Sequence, residues 1–156
     1  MTSPALDALT AAGITHRIVH HEFVTSVAEA AEQAGVEIKD VIKTIVVRRA
    51  DDDFVFVLVP GDRAISWPKL RAVLGVKRLS LPDAATAKDV TGYERGTITP
   101  FGSSTAWPVI ADSRIDGRTI RLGAGVQDTA VVASADDVVR ELGASVVDVT
   151  DPAPAD

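Results

Sequence analysis

Cysteine is absent from this sequence of 156 residues, and aromatic residues make up only 4% of it. Without a thiol the chain can form no disulfide, no thiolate zinc site and no iron–sulfur cluster, and it has no cysteine nucleophile. No apolar run approaches the ~18 residues of a membrane-spanning helix. The first residues, Met1-Thr2-Ser3-Pro4, lack the cations that begin a secretion signal. These absences predict a cytoplasmic protein without a membrane partner.

Positive charge is also in short supply, because the net charge is −6 and the isoelectric point about 5.0. This balance argues against DNA binding and against an extended basic face. The acidic excess is uneven, however. Residues 39–121 hold 14 Lys/Arg and 10 Asp/Glu, whereas the two flanks hold 2 Lys/Arg and 12 Asp/Glu. The central segment is therefore mildly basic, and a limited contact with a polyanion stays compatible with the sequence.

The common catalytic signatures are missing. The sequence contains no phosphate-binding P-loop, no dinucleotide-binding glycine motif after a strand and no G-x-S-x-G nucleophile elbow. His16, His20 and His21 lie within six residues, but the chain offers no convincing further ligands, so no metal and no other cofactor is predicted.

Helix and strand signals alternate along the chain. Serines that can cap helices, glycines that can end them and runs of β-branched residues predict helices over 4–12, 26–35, 66–74, 82–88 and 134–143, and strands over 16–21, 42–49, 54–60, 77–80, 107–112, 119–122, 129–133 and 145–149. Hairpins are predicted at Asp51-Asp52-Asp53 and at Asp116-Gly117. Tight turns between strands favour a single mixed α/β domain with a mainly antiparallel central sheet over a doubly wound one. Residues 1–150 are predicted to form it, and 151–156 a disordered tail.

Two features could carry chemistry. Residues 91–105 read as a long loop rich in glycine, threonine and serine, and such a loop in a compact domain is usually functional. Lys43 begins an otherwise apolar strand, Ile42-Lys43-Thr44-Ile45-Val46-Val47. A lysine there either extends its ammonium to water at a sheet edge or binds an anion. The composition of the sequence alone does not decide between these two roles.

Several motifs then form one ordered pattern. The Lys43 strand resembles the strand that carries a lysine in the YbaK/EbsC family of aminoacyl-tRNA deacylases. The loop Thr91-Gly92-Tyr93-Glu94-Arg95-Gly96-Thr97-Ile98-Thr99-Pro100-Phe101-Gly102 resembles the glycine- and proline-containing loop of that family. Trp107-Pro108-Val109-Ile110-Ala111-Asp112 resembles its next strand, and Gly123 and Gly125 match the turn after it. The family includes the editing domain of bacterial prolyl-tRNA synthetases.

The resemblance implies a YbaK-like fold with a curved sheet, and an enzyme that hydrolyses the ester between a wrong amino acid and the 3′-adenosine of tRNA. The substrate implied is tRNA(Pro) carrying Cys, Ala or another small residue. A synthetase pocket built for proline cannot strongly exclude such residues, because a small apolar difference in the amino acid changes its binding free energy by only ~1–3 kcal/mol. The implied partners are the tRNA acceptor end and prolyl-tRNA synthetase. A non-catalytic binder of aminoacyl-adenosine, a nucleotide or a synthetase would use the same residues and is the alternative.

The resemblance also assigns residues. Lys43, Gly96 and Thr99 are predicted to be catalytic: Lys43 would contact the terminal adenosine's phosphate or ribose, and amides at Gly96 could form an oxyanion hole. The predicted substrate-binding residues are His21, Thr44, Pro100, Phe101, Gly102, Asp112 and Gly125. No nucleophile or general base is evident, which is consistent with activation of water by the substrate's own ribose hydroxyl or with attack by a substrate thiol. The roles of Arg95 and Trp67 stay open between substrate contact and packing or surface positions.

Overall fold

The structure is a computed structural model that describes residues 3–21, 24 and 26–154. Within these residues lie five α-helices, each eight residues long: α1 (Pro4–Ala11), α2 (Val27–Ala34), α3 (Trp67–Leu74), α4 (Ala84–Thr91) and α5 (Ala135–Leu142). The strands are β1 (His16–His20), β2 (Ile42–Ala50), β3 (Asp53–Pro60), β4 (Arg63–Ile65), β5 (Val109–Asp112), β6 (Thr119–Gly123), β7 (Thr129–Ser134), β8 (Ser145–Val147) and β9 (Thr150–Pro152).

Local capping chemistry sets the helix boundaries close to the predicted positions. The Ser3 hydroxyl accepts a hydrogen bond from the Leu6 amide at 3.1 Å, and the Ser26 hydroxyl accepts one from the Glu29 amide at 3.1 Å. At the other ends, Gly35 and Gly75 adopt left-handed conformations with φ of 71° and 68°. Glycine takes this conformation without the steric cost of a Cβ atom, so it ends a helix cleanly.

The strands form three sheets, with the orders β1-β7-β6, β2-β3-β5-β8 and β4-β9. The pairs β1/β7, β6/β7, β2/β3 and β4/β9 are antiparallel, while β3/β5 and β5/β8 are parallel. The predicted mixed α/β fold with mainly antiparallel pairing is thus confirmed. In the described part of the chain, no helix is long and apolar enough to cross a bilayer.

The central strand β3 is buried on both faces, as its apolar sequence predicts. Phe54, Phe56 and Leu58 pack into one core cluster, and the valines between them pack into a second cluster on the opposite face. The hairpin with β2 is also confirmed, with an irregularity between Arg48 and Ala50 where the strands turn. A strand shielded on both sides has no polar face, which explains the unbroken apolar run.

Three local predictions are wrong. The segments around Asp116-Gly117 do not form a hairpin, because β5 pairs in parallel with β3 and β8 whereas β6 pairs with β7 in another sheet. Residues 77–80 form no strand, and only Ser80 bridges to Arg48. The tail is ordered at Asp151 and Pro152, which belong to β9. There the Asp151 carboxylate pairs with Lys69 at 3.1 Å, an interaction that the local sequence does not reveal.

Strand β2 is an edge strand, and two contacts leave a short stretch of its outer edge open. Val41 bridges to Arg121, and the Arg48 amide donates to the Ser80 carbonyl at 2.8 Å. Backbone groups of alternate residues point to the same side of a strand, so the amides and carbonyls of Thr44 and Val46 also face outward. This open stretch forms one wall of a cleft.

Candidate functional site

A cleft of about 770 Å³ lies along the open edge of β2. The cleft is lined by α2, β2, α4 and β6, by the segments just before the first three of these elements and by the loop after α4. The lining residues are Val24, Ser26, Val27, Ala30, Val41, Ile42, Lys43, Thr44, Ile45, Val46, Leu81, Pro82, Ala87, Arg95, Gly96, Ile98, Arg121 and Gly123. Most of the wall is apolar. The charged groups among these residues are three cations, and none is a carboxylate. The cleft therefore combines an apolar surface with positive charge, which suits an anionic ligand that has an uncharged part.

Lys43 is held at the cleft by the main chain of β4. Its Nζ donates a hydrogen bond to the Arg63 carbonyl at 2.5 Å, which leaves two further N–H groups for other acceptors. Partial burial lowers the pKa of Lys43, and the nearby Asp62 carboxylate acts in the opposite direction. The side chain is thus neither a freely solvated surface lysine nor one neutralised by a close ion pair among the described residues.

Arg121 supplies a second cation from β6. Ile120 and Leu122 on either side of it are fully buried in the core, so the alternation of the strand turns Arg121 to the opposite face. Its Nη2 lies 3.2 Å from the His21 Nε2, and its buried Nε has no hydrogen-bond partner within the described ranges. Burial lowers the pKa of this guanidinium as well. An incompletely paired, half-buried guanidinium is well suited to bind an anion.

Gly96 brings the loop after α4 to the cleft. Its φ is 92°, and a Cβ atom built on it would meet no atom within 4 Å, so the space next to its backbone is open. Among the described residues, no group accepts a hydrogen bond from the Gly96 amide. An unpaired amide beside open space can donate to a ligand oxygen, and the missing side chain lets that oxygen approach closely.

The rest of the loop is fixed by its own hydrogen bonds. The Thr97 amide and hydroxyl both donate to the Glu94 carbonyl, at 3.0 and 2.8 Å, and the Thr97 carbonyl accepts from the Gly125 amide at 3.0 Å. The Tyr93 hydroxyl donates to the Phe101 carbonyl at 2.7 Å. These bonds hold Gly96 in place, so its position at the cleft does not depend on a ligand.

The structure brings together only part of the predicted site. Lys43, Thr44 and Gly96 line the cleft, and His21 contacts it through Arg121. The Thr44 hydroxyl is buried and has no partner in the part of the chain that the structure describes. Lys43 and Thr44 are neighbours on β2, but His21 and Gly96 come from two other segments of the sequence, so the convergence of these three segments is a property of the fold.

The other predicted residues do not line the cleft. Thr99, Pro100 and Phe101 are buried within the loop, where the Thr99 hydroxyl accepts from the Phe101 amide at 3.4 Å. At Gly102 a Cβ atom would collide with the Pro4 main chain, and at Gly125 it would lie 2.6 Å from Tyr93 Cε1. Their positions point to support of the loop, and this placement gives no support to the predicted substrate contact.

Asp112 is likewise a structural residue in this arrangement. Its side chain is fully buried, and one carboxylate oxygen accepts from the Val149 amide at 3.1 Å and the Thr150 hydroxyl at 2.9 Å. Arg114 donates to the same carboxylate at 3.2 Å. This carboxylate joins the end of β5 to the start of β9, and it is not part of the cleft lining.

Sequence reasoning missed Arg121 and left Arg95 open, whereas both line the cleft. Arg121 had one usable signal, a lone cation between two core residues on a short strand. Trp67, whose role was open, packs against the second core cluster at the start of α3. In the described ranges, His, Asp and Glu side chains form no group of three that could hold a metal ion.

Comparison with known proteins shows what the chain is similar to. Residues 21–141 match the family model described as an aminoacyl-tRNA editing domain. Proline--tRNA ligase of Thermosipho melanesiensis is 35% identical over 98 residues, which are 63% of this chain and 17% of the ligase. The enzyme of the same name from Lactobacillus helveticus is 38% identical over 80 residues, or 51% of this chain and 14% of the ligase. The chain thus spans less than a fifth of these relatives.

Solved structures match over almost the whole chain. The hypothetical protein APE2540 superposes with a TM-score of 0.87 at 26% identity, and the match covers 96% of this chain and all of that one. A second structure, described as a candidate trans-editing enzyme for prolyl tRNA synthetase, superposes with a TM-score of 0.87 at 22% identity, over 97% of this chain and 99% of that one. The second likeness shows a shared fold.

Proposed function

The chain belongs to the aminoacyl-tRNA editing domain family, and on that premise we propose that it is a deacylase that hydrolyses the ester of a mischarged tRNA in trans. The observation that carries the proposal is the composition of the cleft. Three cations, an unpaired glycine amide and an apolar wall meet in one cavity, and no carboxylate is among its described lining residues. A 3′-aminoacyl-adenosine has the matching parts: phosphates, an ester carbonyl and a small side chain.

In the proposed reaction, water attacks the ester carbonyl carbon and the bond to the ribose oxygen breaks. The products are the free amino acid and a tRNA whose 3′-terminal hydroxyl is restored by the proton that the water loses. The described cleft residues include no carboxylate, and none of the histidines lines the cleft, so we assign activation of the water to the ribose hydroxyl beside the ester. Where the amino acid is cysteine, its own thiol can attack the ester carbonyl instead: the bond to the ribose oxygen breaks, that oxygen takes the thiol proton, and water hydrolyses the released cyclic thiolactone to free cysteine.

The protein's contribution is then positioning and charge stabilisation. Lys43 and Arg121 bind phosphate or ribose oxygens, and the Gly96 amide donates to the oxygen that becomes negative in the tetrahedral intermediate. The outward amides and carbonyls of Thr44 and Val46 offer further hydrogen bonds to the adenosine. Thr99, Pro100, Phe101, Gly102 and Gly125 support the loop, and Asp112 supports the sheet.

We further propose tRNA(Pro) carrying a small noncognate residue as the substrate. The support is the similarity of this chain to part of two proline--tRNA ligases and the description of the second structure above. The apolar wall, which includes Val27, Ala30 and Ile98, suits a small uncharged side chain. Transient association with prolyl-tRNA synthetase would bring the protein to its substrate.

The test is release of amino acid from Ala-, Cys- and Ser-tRNA(Pro), with Pro-tRNA(Pro) as the cognate control. We expect release from at least one mischarged species and little from Pro-tRNA(Pro). If none of the three is deacylated, the proposal fails. Tight binding of all three without turnover would instead identify the chain as a binder of aminoacyl-tRNA, which could use the same cleft.

A further inference from the structure

A second concave region of about 510 Å³ lies at the other end of β2. We call it the basic depression and define it by its five cationic lining residues: Arg48, Arg49, Arg71, Lys77 and Arg78. Asp51 is the single carboxylate among its described lining residues. The depression therefore has a strong positive excess on a protein whose net charge is −6.

Most of these cations have no counterion. Arg49 pairs with Asp53 at 2.9 Å, but Arg71, Lys77 and Arg78 form no ion pair with any described residue. Arg48 stacks 5.6 Å from the centre of the Phe54 ring, and its buried Nε lacks a hydrogen-bond partner among the described residues. Lys69, by contrast, lies outside the depression and pairs with both Asp148 and Asp151.

Concentrated, unpaired positive charge repels itself and is a cost to the folded state unless a polyanion binds there. Surface arginines suit phosphates because the planar guanidinium can donate two parallel hydrogen bonds. The composition of the depression therefore indicates several phosphates in succession as its ligand.

One short segment of the chain connects the depression to the cleft. Ser80 lines the depression and pairs with Arg48, and the next two residues, Leu81 and Pro82, line the cleft. Asp83 follows directly. Its pKa is lowered first by the Thr86 amide and also by the charges of Arg48 and Arg95, one from each region. A ligand whose end occupies the cleft can thus extend along this segment to the depression.

We propose that the basic depression binds the phosphate backbone of the RNA stem whose aminoacylated end occupies the cleft. This inference rests on the proposed function, and it adds a contact that is separate from the chemistry. The stem contact contributes affinity and orientation, while the cleft contacts act on the ester. The depression is therefore not needed for a substrate too short to reach it.

The test compares two triple variants that remove the same charge. Arg71→Gln, Lys77→Gln and Arg78→Gln together remove three of the five cations of the depression. Arg17→Gln, Lys39→Gln and Arg118→Gln together form the control on a different concave surface. Deacylation is measured on whole aminoacyl-tRNA and on an aminoacylated CCA trinucleotide. Circular dichroism and thermal unfolding check that both variants fold.

We expect the depression variant to lose about 10-fold or more in kcat/KM on whole tRNA and to be unchanged on the trinucleotide, with the control variant near wild type on both. For binding of uncharged tRNA, the slope of log affinity against log salt should be smaller in magnitude by about 2 to 3 in the depression variant than in wild type, since each phosphate contact contributes ~0.7–0.9 to that slope. An equal loss on both substrates, or a salt slope no more reduced than in the control, overturns the inference. If wild type deacylates nothing, the proposed function fails, while the salt slope still decides this inference.

Discussion

The two ends of β2 carry cations in opposite settings. At the start of the strand, Lys43 is half-buried, fixed by the Arg63 carbonyl and close to one wall of an apolar cleft. At the end of the strand, Arg48 and Arg49 belong to the basic depression, whose other cations come from residues 71–78 and lie near the surface. The same strand therefore contributes a single cation to the cleft and two cations to a larger cluster near the surface.

Burial makes these charges functionally different. A partly desolvated cation interacts strongly with one ligand group and is poorly screened by salt, whereas exposed cations act together and weaken as salt rises. Changes in the cleft should thus reduce turnover on every substrate, and changes in the depression should reduce only the use of long substrates.

The largest effect is expected for Lys43→Ala. Loss of a charge-assisted hydrogen bond, worth about 1.5–3 kcal/mol, should lower kcat/KM roughly 10- to 150-fold on both whole tRNA and the trinucleotide. Amino acid release at steady state measures it. Lys88→Ala is the control, because Lys88 is exposed and outside the cleft lining. Retained activity in a folded Lys43→Ala protein would remove Lys43 from the site.

A smaller loss of kcat/KM, roughly 10-fold, is expected for Arg121→Met, because Lys43 remains in this variant and also donates hydrogen bonds to the substrate. The methionine keeps an apolar stem of similar length, so packing against the strand should survive. Arg118→Met, which removes an arginine outside the cleft, should leave kcat/KM unchanged. Equal losses in the two variants would mean that overall charge, and not the position of Arg121, is responsible.

Gly96→Ala should reduce activity several-fold, and this reduction should exceed what its loss of unfolding free energy explains. An L-residue at a φ of 92° is strained by about 1–2 kcal/mol, and the added methyl group would occupy the open space next to the amide. Gly117→Ala is a matched control, because Gly117 also has a positive φ and open space but lies outside the cleft. Both variants should lose similar unfolding free energy in urea, and only Gly96→Ala should lose activity. Similar activity in both would argue against a substrate contact at Gly96.

The smallest effect is a change in pH dependence. Since burial lowers the pKa of Lys43, its ammonium should lose its proton at a lower pH than an ordinary lysine. Activity that needs the charged form should therefore fall as the pH rises through that pKa. Lys43→Arg keeps its charge, so its alkaline limb should move to higher pH after correction for spontaneous ester hydrolysis. An unmoved limb would assign the titration to another group.

Local sequence predicted the parts of the fold that local interactions determine. The capping serines Ser3 and Ser26 correctly predicted where two helices begin, and the apolar run of β3 correctly predicted a buried central strand. The partner of β5 was predicted wrongly because a turn signal at Asp116-Gly117 does not say which strands pair, and parallel pairing joins segments far apart in sequence. Strand β9 was missed because its pairing with β4 stabilises a segment whose composition is typical of a tail.

The candidate site shows the same limit. The resemblance identified Lys43 and Gly96, which line the cleft, but it could not separate residues that face the cleft from those, such as Gly102, that support the loop behind it. Arg121 carried no recognisable motif, and its importance comes from burial and from contact with His21, which lies 100 positions away in the chain. Such contacts depend on how sheets pack, and no local pattern encodes them.

The most direct measurement of the central claim is the initial rate of amino acid release from Ala-, Cys- and Ser-tRNA(Pro) by wild type and Lys43→Ala in parallel. We expect release by wild type from at least one of these substrates, little release from Pro-tRNA(Pro), and a roughly 10- to 150-fold lower kcat/KM for the folded variant. Equal rates for the two proteins, or no release by wild type above the spontaneous rate, would contradict it.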